Sequence, residues 1–202
     1  MKIMKAIIVP THDLHRRADI LKNCLNSIKT KYKVIVLVSR GIIPKWLKDY
    51  DVYCGTNGSD TLKKIYDLTD FDEFFILHDT CEITDNKLWE IVFEKYDGRS
   101  VSIAKRFGML IGKFVRSSLS KVDLPAVEGR IDGYHLYEEK FPDDYKAIED
   151  YITLCPEFTD EFGCEEFKWN RMNHKLICPY IIKWKGNWNI DMCANGGVDS
   201  YV

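Results

Sequence analysis

The sequence FDEFFILHDTCE, residues 71–82, contains an apolar run over residues 74–77 that stops abruptly at a histidine and an aspartate. An apolar run without polar alternation is typical of a parallel strand that helices cover on both faces. Such a strand carries the residues that follow it to one edge of the sheet. The run therefore predicts a buried strand that places Asp79 at its carboxyl end. The alternative is that Asp79 only begins a turn or caps a helix.

Length and composition narrow the class of protein. The chain has 202 residues, enough for one domain with a substantial core. Lys and Arg total 29 against 31 Asp and Glu, so the net charge of -2 predicts no overall attraction to nucleic acid or to a membrane surface. The seven cysteines are odd in number and form no CxxC pair, which predicts reduced thiols and a cytoplasmic location.

The chain is expected to form a single domain. No apolar run reaches the length of a membrane span. We predict a globular domain over residues 1–190. Residues 191–202 contain paired glycines and little periodicity, which predicts a flexible tail or a linker to a further domain.

Segments of strand length alternate with segments of helical spacing. Strands are predicted at residues 5–10, 33–39, 51–54, 74–77 and 100–104, and helices around residues 20–28, 60–68 and 88–96. This alternation predicts parallel pairing with right-handed crossovers, and a ligand site outside the carboxyl ends of the strands. The residues of interest then follow the first, third and fourth strands, at 11–13, 55–59 and 78–82.

Two common nucleotide-binding motifs are absent from the sequence. No GxGxxG or GxxxxGK[ST] motif is present, which weighs against a dinucleotide-binding Rossmann domain and excludes a P-loop NTPase.

Four segments of the chain resemble a different family of nucleotide-binding proteins. The segments IIVPTHD, CLNSI, GTNGSDTLKKIYD and FFILHDTCE come in the order and spacing of GT-A glycosyltransferases, which the chain resembles. The resemblance implies an α/β fold with a mainly parallel twisted sheet flanked by helices, comprising a Rossmann-like nucleotide-binding half and a small acceptor half. It is nearest to small glycosyltransferase domains of large DNA viruses such as the chloroviruses, which implies the host cytoplasm.

The resemblance also implies a donor site. In GT-A enzymes the loop after the first strand holds the nucleotide base, and the acidic motif after the fourth strand holds the ribose and a divalent ion bound to the sugar diphosphate. Carried over to this chain, the nucleotide-sugar site comprises Pro10, Thr11, His12, Asp13, Arg16, Asn57, Ser59, His78 and Asp79. Asp13 could instead be a helix N-cap, and Arg16 a solvated side chain.

The acidic motif departs from the Asp-x-Asp pattern of the family. Its sequence is HDTCE, so one clear carboxylate, Asp79, stands at the expected place. We expect Asp79 to bind Mn²⁺ or Mg²⁺, because diphosphate oxygens and water can fill the other positions around a hard cation. His78, Glu82 or a later residue could assist. His78 and Cys81 are softer ligands, which we expect to shape the pocket rather than to bind metal.

The segment YIIKWKGNW near the carboxyl end contains a second set of candidate phosphate ligands. Lys183 and Lys185 flank Trp184 and could neutralise the diphosphate as point charges. The alternative is an edge strand with outward lysines and inward apolar residues. Arg171 and His174 are weaker candidates for phosphate and metal.

An inverting transferase also needs a carboxylate that removes the proton of the acceptor hydroxyl. IDGYHLYEEKF resembles the acidic acceptor-side loop, and its candidates for the catalytic base are Asp132, Glu138 and Glu139. Glu165 and Glu166 are further candidates. Acidic pairs of this kind are more often solvated helix faces.

Together these features predict an inverting glycosyltransferase that uses a divalent metal. Its donor is a nucleotide-diphosphate hexose or deoxyhexose, UDP-linked in our prediction, and its acceptor is a glycan or glycoprotein. One alternative is a non-catalytic or degenerate nucleotide-sugar-binding module, since the second aspartate of the motif is missing. A second alternative is a sugar nucleotidyltransferase, which needs a glycine-rich loop after the first strand. The segment at that place, PTHDLHRR, contains no glycine. A third alternative is a DNA-modifying glucosyltransferase, but the net charge of -2 offers little positive charge for binding DNA phosphates.

Overall fold

The computed structural model describes residues 3–54, 61–104, 111–119, 152–155, 159–162 and 172–186. The strands in these ranges are β1 (Lys5–Asp13), β2 (Lys33–Arg40), β3 (Asp51–Cys54), β4 (Glu73–Ile76), β5 (Cys81–Ile83), β6 (Val101–Ala104), β7 (Gly112–Val115), β8 (Ile152–Cys155), β9 (Thr159–Phe162), β10 (Met172–Ile177) and β11 (Ile181–Gly186). The α-helices are α1 (Leu14–Ser27), α2 (Thr61–Leu68), α3 (Lys87–Glu90) and α4 (Arg116–Leu119). A 3-10 helix spans Lys45–Asp49, and a π-helical segment spans Ile91–Lys95.

The larger sheet has the order β3-β2-β1-β4-β7-β6-β8. β1 pairs in parallel with β2 and with β4, β2 pairs in parallel with β3, and β6 pairs in parallel with β8. This mixed but mainly parallel α/β sheet confirms the predicted fold class. The apolar run that predicted a buried strand forms β4 and its immediate continuation, and Phe74, Phe75 and Leu77 are fully buried.

Helices cover both faces of this sheet. Ile7 of β1 lies in one buried cluster with Leu21 of α1, and the next residue, Ile8, lies in a second cluster with Ile65 of α2. Successive side chains of a strand point to opposite faces, so β1 contributes to two separate cores. This arrangement explains why the strand sequences show no polar alternation.

The predicted parallel pairing fails at β7, which runs antiparallel to both of its neighbours, β4 and β6. The connection between β6 and β7 covers only residues 105–111. A crossover between parallel strands needs about a dozen residues or more. Because this connection is shorter than that, the chain returns in the opposite direction.

The predicted helix around residues 88–96 is α-helical only in its first turn, α3, and continues as the π-helical segment. Two lysine ammonium groups donate to its carbonyls: Lys5 Nζ to Phe93 O, and Lys113 Nζ to Tyr96 O at 2.6 Å. These donors occupy acceptors near the end of the helix.

A second, antiparallel sheet was not predicted. Its order is β5-β11-β10-β9, and β5 begins directly after the turn that follows β4, so the chain passes from one sheet to the other at that turn. β11 pairs with β5 on one side and with β10 on the other. The alternative interpretation of this lysine-containing segment as an edge strand is therefore wrong, because neighbouring strands use the hydrogen-bonding groups on both of its sides.

Candidate functional site

The site lies where the strand order of the larger sheet reverses. From β1 the chain passes to β2 on one side, whereas β4 pairs on the other side. β1 pairs with β4 only as far as Ile8, and the Leu77 amide still donates to the Ile8 carbonyl at 2.9 Å. β1 then continues along β2 as far as Asp13. In open α/β sheets such a switch point is the usual ligand site.

A side-chain hydrogen bond joins the end of β1 to the turn that follows β4. Thr11 Oγ1 donates to Asp79 Oδ2 at 2.8 Å. Both side chains are buried, Thr11 with 1% and Asp79 with 3% of its surface exposed. The structure thus brings together residues of the two segments from which the resemblance assembles a donor site.

The turn that contains Asp79 is held from two sides. The Cys81 amide donates to the His78 carbonyl at 3.0 Å, which closes the turn. From the second sheet, the Trp184 amide donates to the Thr80 carbonyl at 2.9 Å. From α1, Cys24 Sγ lies 3.6 Å from the His78 carbonyl oxygen as a weak donor. These contacts restrict the backbone on each side of the aspartate.

Lys183 brings a positive charge to the same turn. Its Nζ donates to Thr80 Oγ1 at 2.7 Å and lies 3.2 Å from His78 Nδ1. In β11, Lys183 is paired with Cys81 of β5, which sets its side chain beside the turn. The lysine is half-buried, so it does not point outward as the edge-strand alternative requires.

Two thiols beneath the turn are uncharged. The pKa of Cys81 is raised to about 12, chiefly by burial; the Lys183 charge opposes the rise and the nearby Asp79 carboxylate adds to it. Burial and the neighbouring Cys81 also raise the pKa of Cys24 well above its usual value. A cysteine binds metal as a thiolate, so the raised pKa values of Cys24 and Cys81 disfavour the charged form that a ligand needs. The expectation that Cys81 shapes the pocket stays a prediction.

Asp79 is the buried carboxylate at the switch point, and its role as a metal ligand stays a prediction. Among the residues that the structure describes, no group of three or more His, Cys, Asp or Glu side chains could hold a metal ion. Glu82, a candidate for a second ligand in the sequence analysis, is exposed in β5, next to the turn in sequence. One carboxylate fits a hard cation that arrives with the diphosphate, because phosphate oxygens and water complete its coordination. Within the described residues, the ligands are too few for a resident, all-protein metal site.

The other predicted site residues are described in part or not at all. Pro10 lies in β1, half-buried and paired with Leu37. For His12, Asp13, Arg16, His174 and Lys185 the structure describes the backbone but not the side chain. Asn57, Ser59, Asp132, Glu138, Glu139, Glu165, Glu166 and Arg171 lie outside the described residues.

The sequence analysis missed two residues of the turn's surroundings. Thr80 is the anchor of Lys183, and Cys24 of α1 contacts the backbone of the turn. Both contacts join segments far apart in the chain, and although both residues lie within the quoted motifs, no local pattern indicates these two contacts. An antiparallel pairing of residues 81–83 with residues 181–183 would have been the clue, but β5 is too short for a clear pattern.

Comparison by sequence identifies no relative. No protein-family model matches the chain, and no curated protein matches it. Within the described part of the chain, no helix is long and apolar enough to cross a membrane.

Comparison by structure does find similar proteins. TarS 1-349 from S. aureus superposes with a TM-score of 0.52 at 10% identity, over 75% of this chain and 58% of that chain. The mannosyltransferase PcManGT from Pyrobaculum calidifontis, in complex with GDP-Man and Mn²⁺, gives 0.53 at 15% identity, over 78% and 56%. The chain has a GT-A fold. The glycosyltransferase GlyE from Streptococcus pneumoniae gives 0.51 at 12% identity, over 76% and 45%.

The GT-A fold accounts for the switch point and for the position of Asp79 after β4. The chain spans a little over half the length of the TarS and PcManGT chains and under half that of GlyE. None of these three proteins is viral, so the resemblance to viral enzymes, and with it the host cytoplasm, stays a prediction.

Proposed function

We propose that the protein is a glycosyltransferase that transfers a hexose or deoxyhexose from a nucleotide-diphosphate sugar to a glycan or glycoprotein. The observation that carries the proposal is the hydrogen bond between Thr11 and Asp79 at the switch point of a GT-A fold. A buried carboxylate at this edge of the sheet has little use in packing alone. PcManGT, which has a similar fold, holds GDP-Man and Mn²⁺ in its structure.

The proposed donor site lies between the end of β1 and the turn that follows β4. The end of β1, from Pro10 to Asp13, lines the base, and Asp79 binds the ribose or the cation that accompanies the diphosphate. Departure of the nucleotide diphosphate leaves negative charge, and preorganised groups aimed at that charge lower the barrier. His78 and Lys183 lie beside Asp79 and supply such groups. We keep Lys185, two residues after Lys183, as a further phosphate ligand.

A divalent cation, Mn²⁺ or Mg²⁺, would offset the charge of the diphosphate when bound. Asp79 is the residue that would hold it, with the nucleotide providing most of the remaining ligands. The chain itself holds and orients that buried carboxylate through Thr11. We infer that this protein binds the cation together with the nucleotide rather than before it.

The donor-binding proposal is tested by calorimetry. UDP, GDP and dTDP are titrated into the wild-type protein, each with and without Mn²⁺, and Mn²⁺ is also titrated alone. We expect one nucleotide, UDP in our proposal, to bind more tightly with Mn²⁺, and Mn²⁺ alone to give little heat. Absence of binding by all three nucleotides would overturn the proposal. Tight binding of Mn²⁺ alone would mean that the cation has more protein ligands than Asp79.

The catalytic base is proposed among Glu138, Glu139 and Asp132. Glu138→Gln and Glu139→Gln are each expected to keep the affinity for the nucleotide, and one of them to lower the rate of transfer by about a hundredfold or more, because general base catalysis contributes that much. Product analysis with a panel of glycan acceptors measures the rate. Normal turnover in both variants would move the base to Asp132 or elsewhere. Binding without transfer or hydrolysis in the wild type would identify a nucleotide-sugar-binding module instead.

A further inference from the structure

A lysine and a histidine from different sheets meet beside Asp79. Lys183 Nζ lies 3.2 Å from the Nδ1 atom of His78, within hydrogen-bond distance. A lysine ammonium has three N–H donors and no acceptor. For this contact to be a hydrogen bond, Nδ1 of the imidazole must therefore be the acceptor, and it cannot carry a proton.

The position of the ammonium is determined independently of the histidine. Lys183 Nζ also donates to Thr80 Oγ1 at 2.7 Å, and the backbone amide of the next residue, Trp184, donates to the Thr80 carbonyl. Lys183 is therefore attached to the turn through both its side chain and the adjacent backbone. The positive charge of Lys183 is also felt by the Cys81 thiol, whose pKa it lowers against the effect of burial.

We propose that Lys183 is a positioning residue that holds His78 as the neutral tautomer with its proton on Nε2. In a neutral imidazole one nitrogen donates and the other accepts, so an acceptor at Nδ1 makes Nε2 the donor. His78 then presents an N–H group to an oxygen of the nucleotide-sugar. It does not serve as a metal ligand through Nδ1, because Lys183 occupies that nitrogen.

The orientation matters for the chemistry of the site. A histidine with its lone pair toward the ligand would compete with Asp79 for a cation, whereas one with an N–H toward the ligand hydrogen-bonds a phosphate or ribose oxygen. Such a bond to a charged oxygen is among the stronger ones. This part of the inference rests on the proposed function, whereas the tautomer itself can be observed in the protein without ligand.

The first test is a nuclear magnetic resonance measurement on wild-type protein with ¹⁵N-labelled histidine. The chain has five histidines, and the signals of His78 are those absent from a His78→Gln variant. Long-range proton–nitrogen correlations distinguish the two neutral tautomers. We expect the Nε2-protonated form. A proton on Nδ1, or an equal mixture of the tautomers, would overturn the inference without any need for a stable lysine variant.

The second test removes the ammonium. Lys183→Met keeps much of the side-chain volume, and we expect it to release His78 into a mixture of tautomers. Lys87→Met is the control, since Lys87 is exposed in α3, outside both β11 and the turn, and should leave the tautomer of His78 unchanged. An unchanged tautomer in Lys183→Met would show that the lysine does not position the ring.

The third test asks whether Lys183 acts through His78. Lys183→Met and His78→Gln are each expected to raise the dissociation constant of UDP by about ten- to a hundredfold, the loss associated with one hydrogen bond to a charged group. The double variant should lose less than the product of the two single losses. Independent, multiplicative losses would overturn the positioning role. If no nucleotide binds but the tautomer is as inferred, the proposed function fails and the Lys183 contact stands.

Discussion

Asp79→Asn is expected to lower kcat/KM for glycosyl transfer by about a hundred- to a thousandfold, the usual cost of removing one preorganised group that stabilises charge in the transition state. Asparagine has nearly the shape of aspartate, and its amide oxygen can still accept the hydrogen bond that Thr11 donates at 2.8 Å. The fold should therefore persist while the charge that holds the cation is lost. Initial rates over a range of Mn²⁺ concentrations measure the effect.

The matched control for this variant is Asp70→Asn. Asp70 is exposed and precedes β4 at its amino end, whereas Asp79 follows its carboxyl end. The control should therefore change neither the rate nor its dependence on Mn²⁺. Full activity of Asp79→Asn would contradict the proposed donor site. A loss that matches a fall in thermal stability would instead indicate a structural role for the carboxylate.

Lys113→Ala is expected to destabilise the fold by about 3–5 kcal/mol, the cost of leaving one partner of a buried ion pair uncompensated. Lys113 in β7 is fully buried, and its Nζ donates to Glu73 Oε2 at 2.9 Å. Burial lowers the pKa of Lys113, although Glu73 opposes the shift. Without the ammonium, the Glu73 carboxylate keeps only the Gly98 amide and the more distant Lys5 among the partners we identify. Urea unfolding at neutral pH measures the loss.

Two further variants make this prediction specific. Lys31→Ala removes an exposed lysine that pairs with Glu94, and should change the free energy of unfolding by less than about 1 kcal/mol. The double variant Lys113→Met with Glu73→Gln removes both buried charges, so it should recover much of the loss. A loss under about 1 kcal/mol in Lys113→Ala would mean that water or a rearranged Lys5 compensates Glu73.

The Lys113 variants should not change the nucleotide affinity of the folded protein. The pair of Lys113 and Glu73 lies at the amino end of β4, whereas Asp79 follows its carboxyl end.

The order of the elements in the first half of the chain was predictable from local sequence. The strands predicted at residues 33–39 and 51–54 correspond to β2 and β3 nearly residue for residue. Continuous apolar runs indicate strands buried on both faces, and the helical spacing between them indicates crossovers. Such patterns arise from the burial of a few neighbouring residues, which a local sequence reports directly.

The direction of β7 and the existence of the second sheet were not predicted. The first depends on the length of one connection, and the second on pairing between residues about a hundred positions apart in the chain. The segment 181–186 carries the same alternation of lysine and apolar residues whether it lies at an edge or inside a sheet. Only its two neighbouring strands distinguish these cases, and they come from elsewhere in the chain.

The sequence by itself determined that a buried strand ends in an acidic residue, and that this strand is the fourth of an alternating series. These two facts locate Asp79 at the carboxyl edge of a parallel sheet, because parallel strands end at the same edge. Only the tertiary structure decided what surrounds Asp79: Thr11 across the switch point, and Lys183 reaching the turn from a second sheet. Hydrogen bonds between distant segments depend on distances of a few ångström in the folded chain, and no local pattern encodes them.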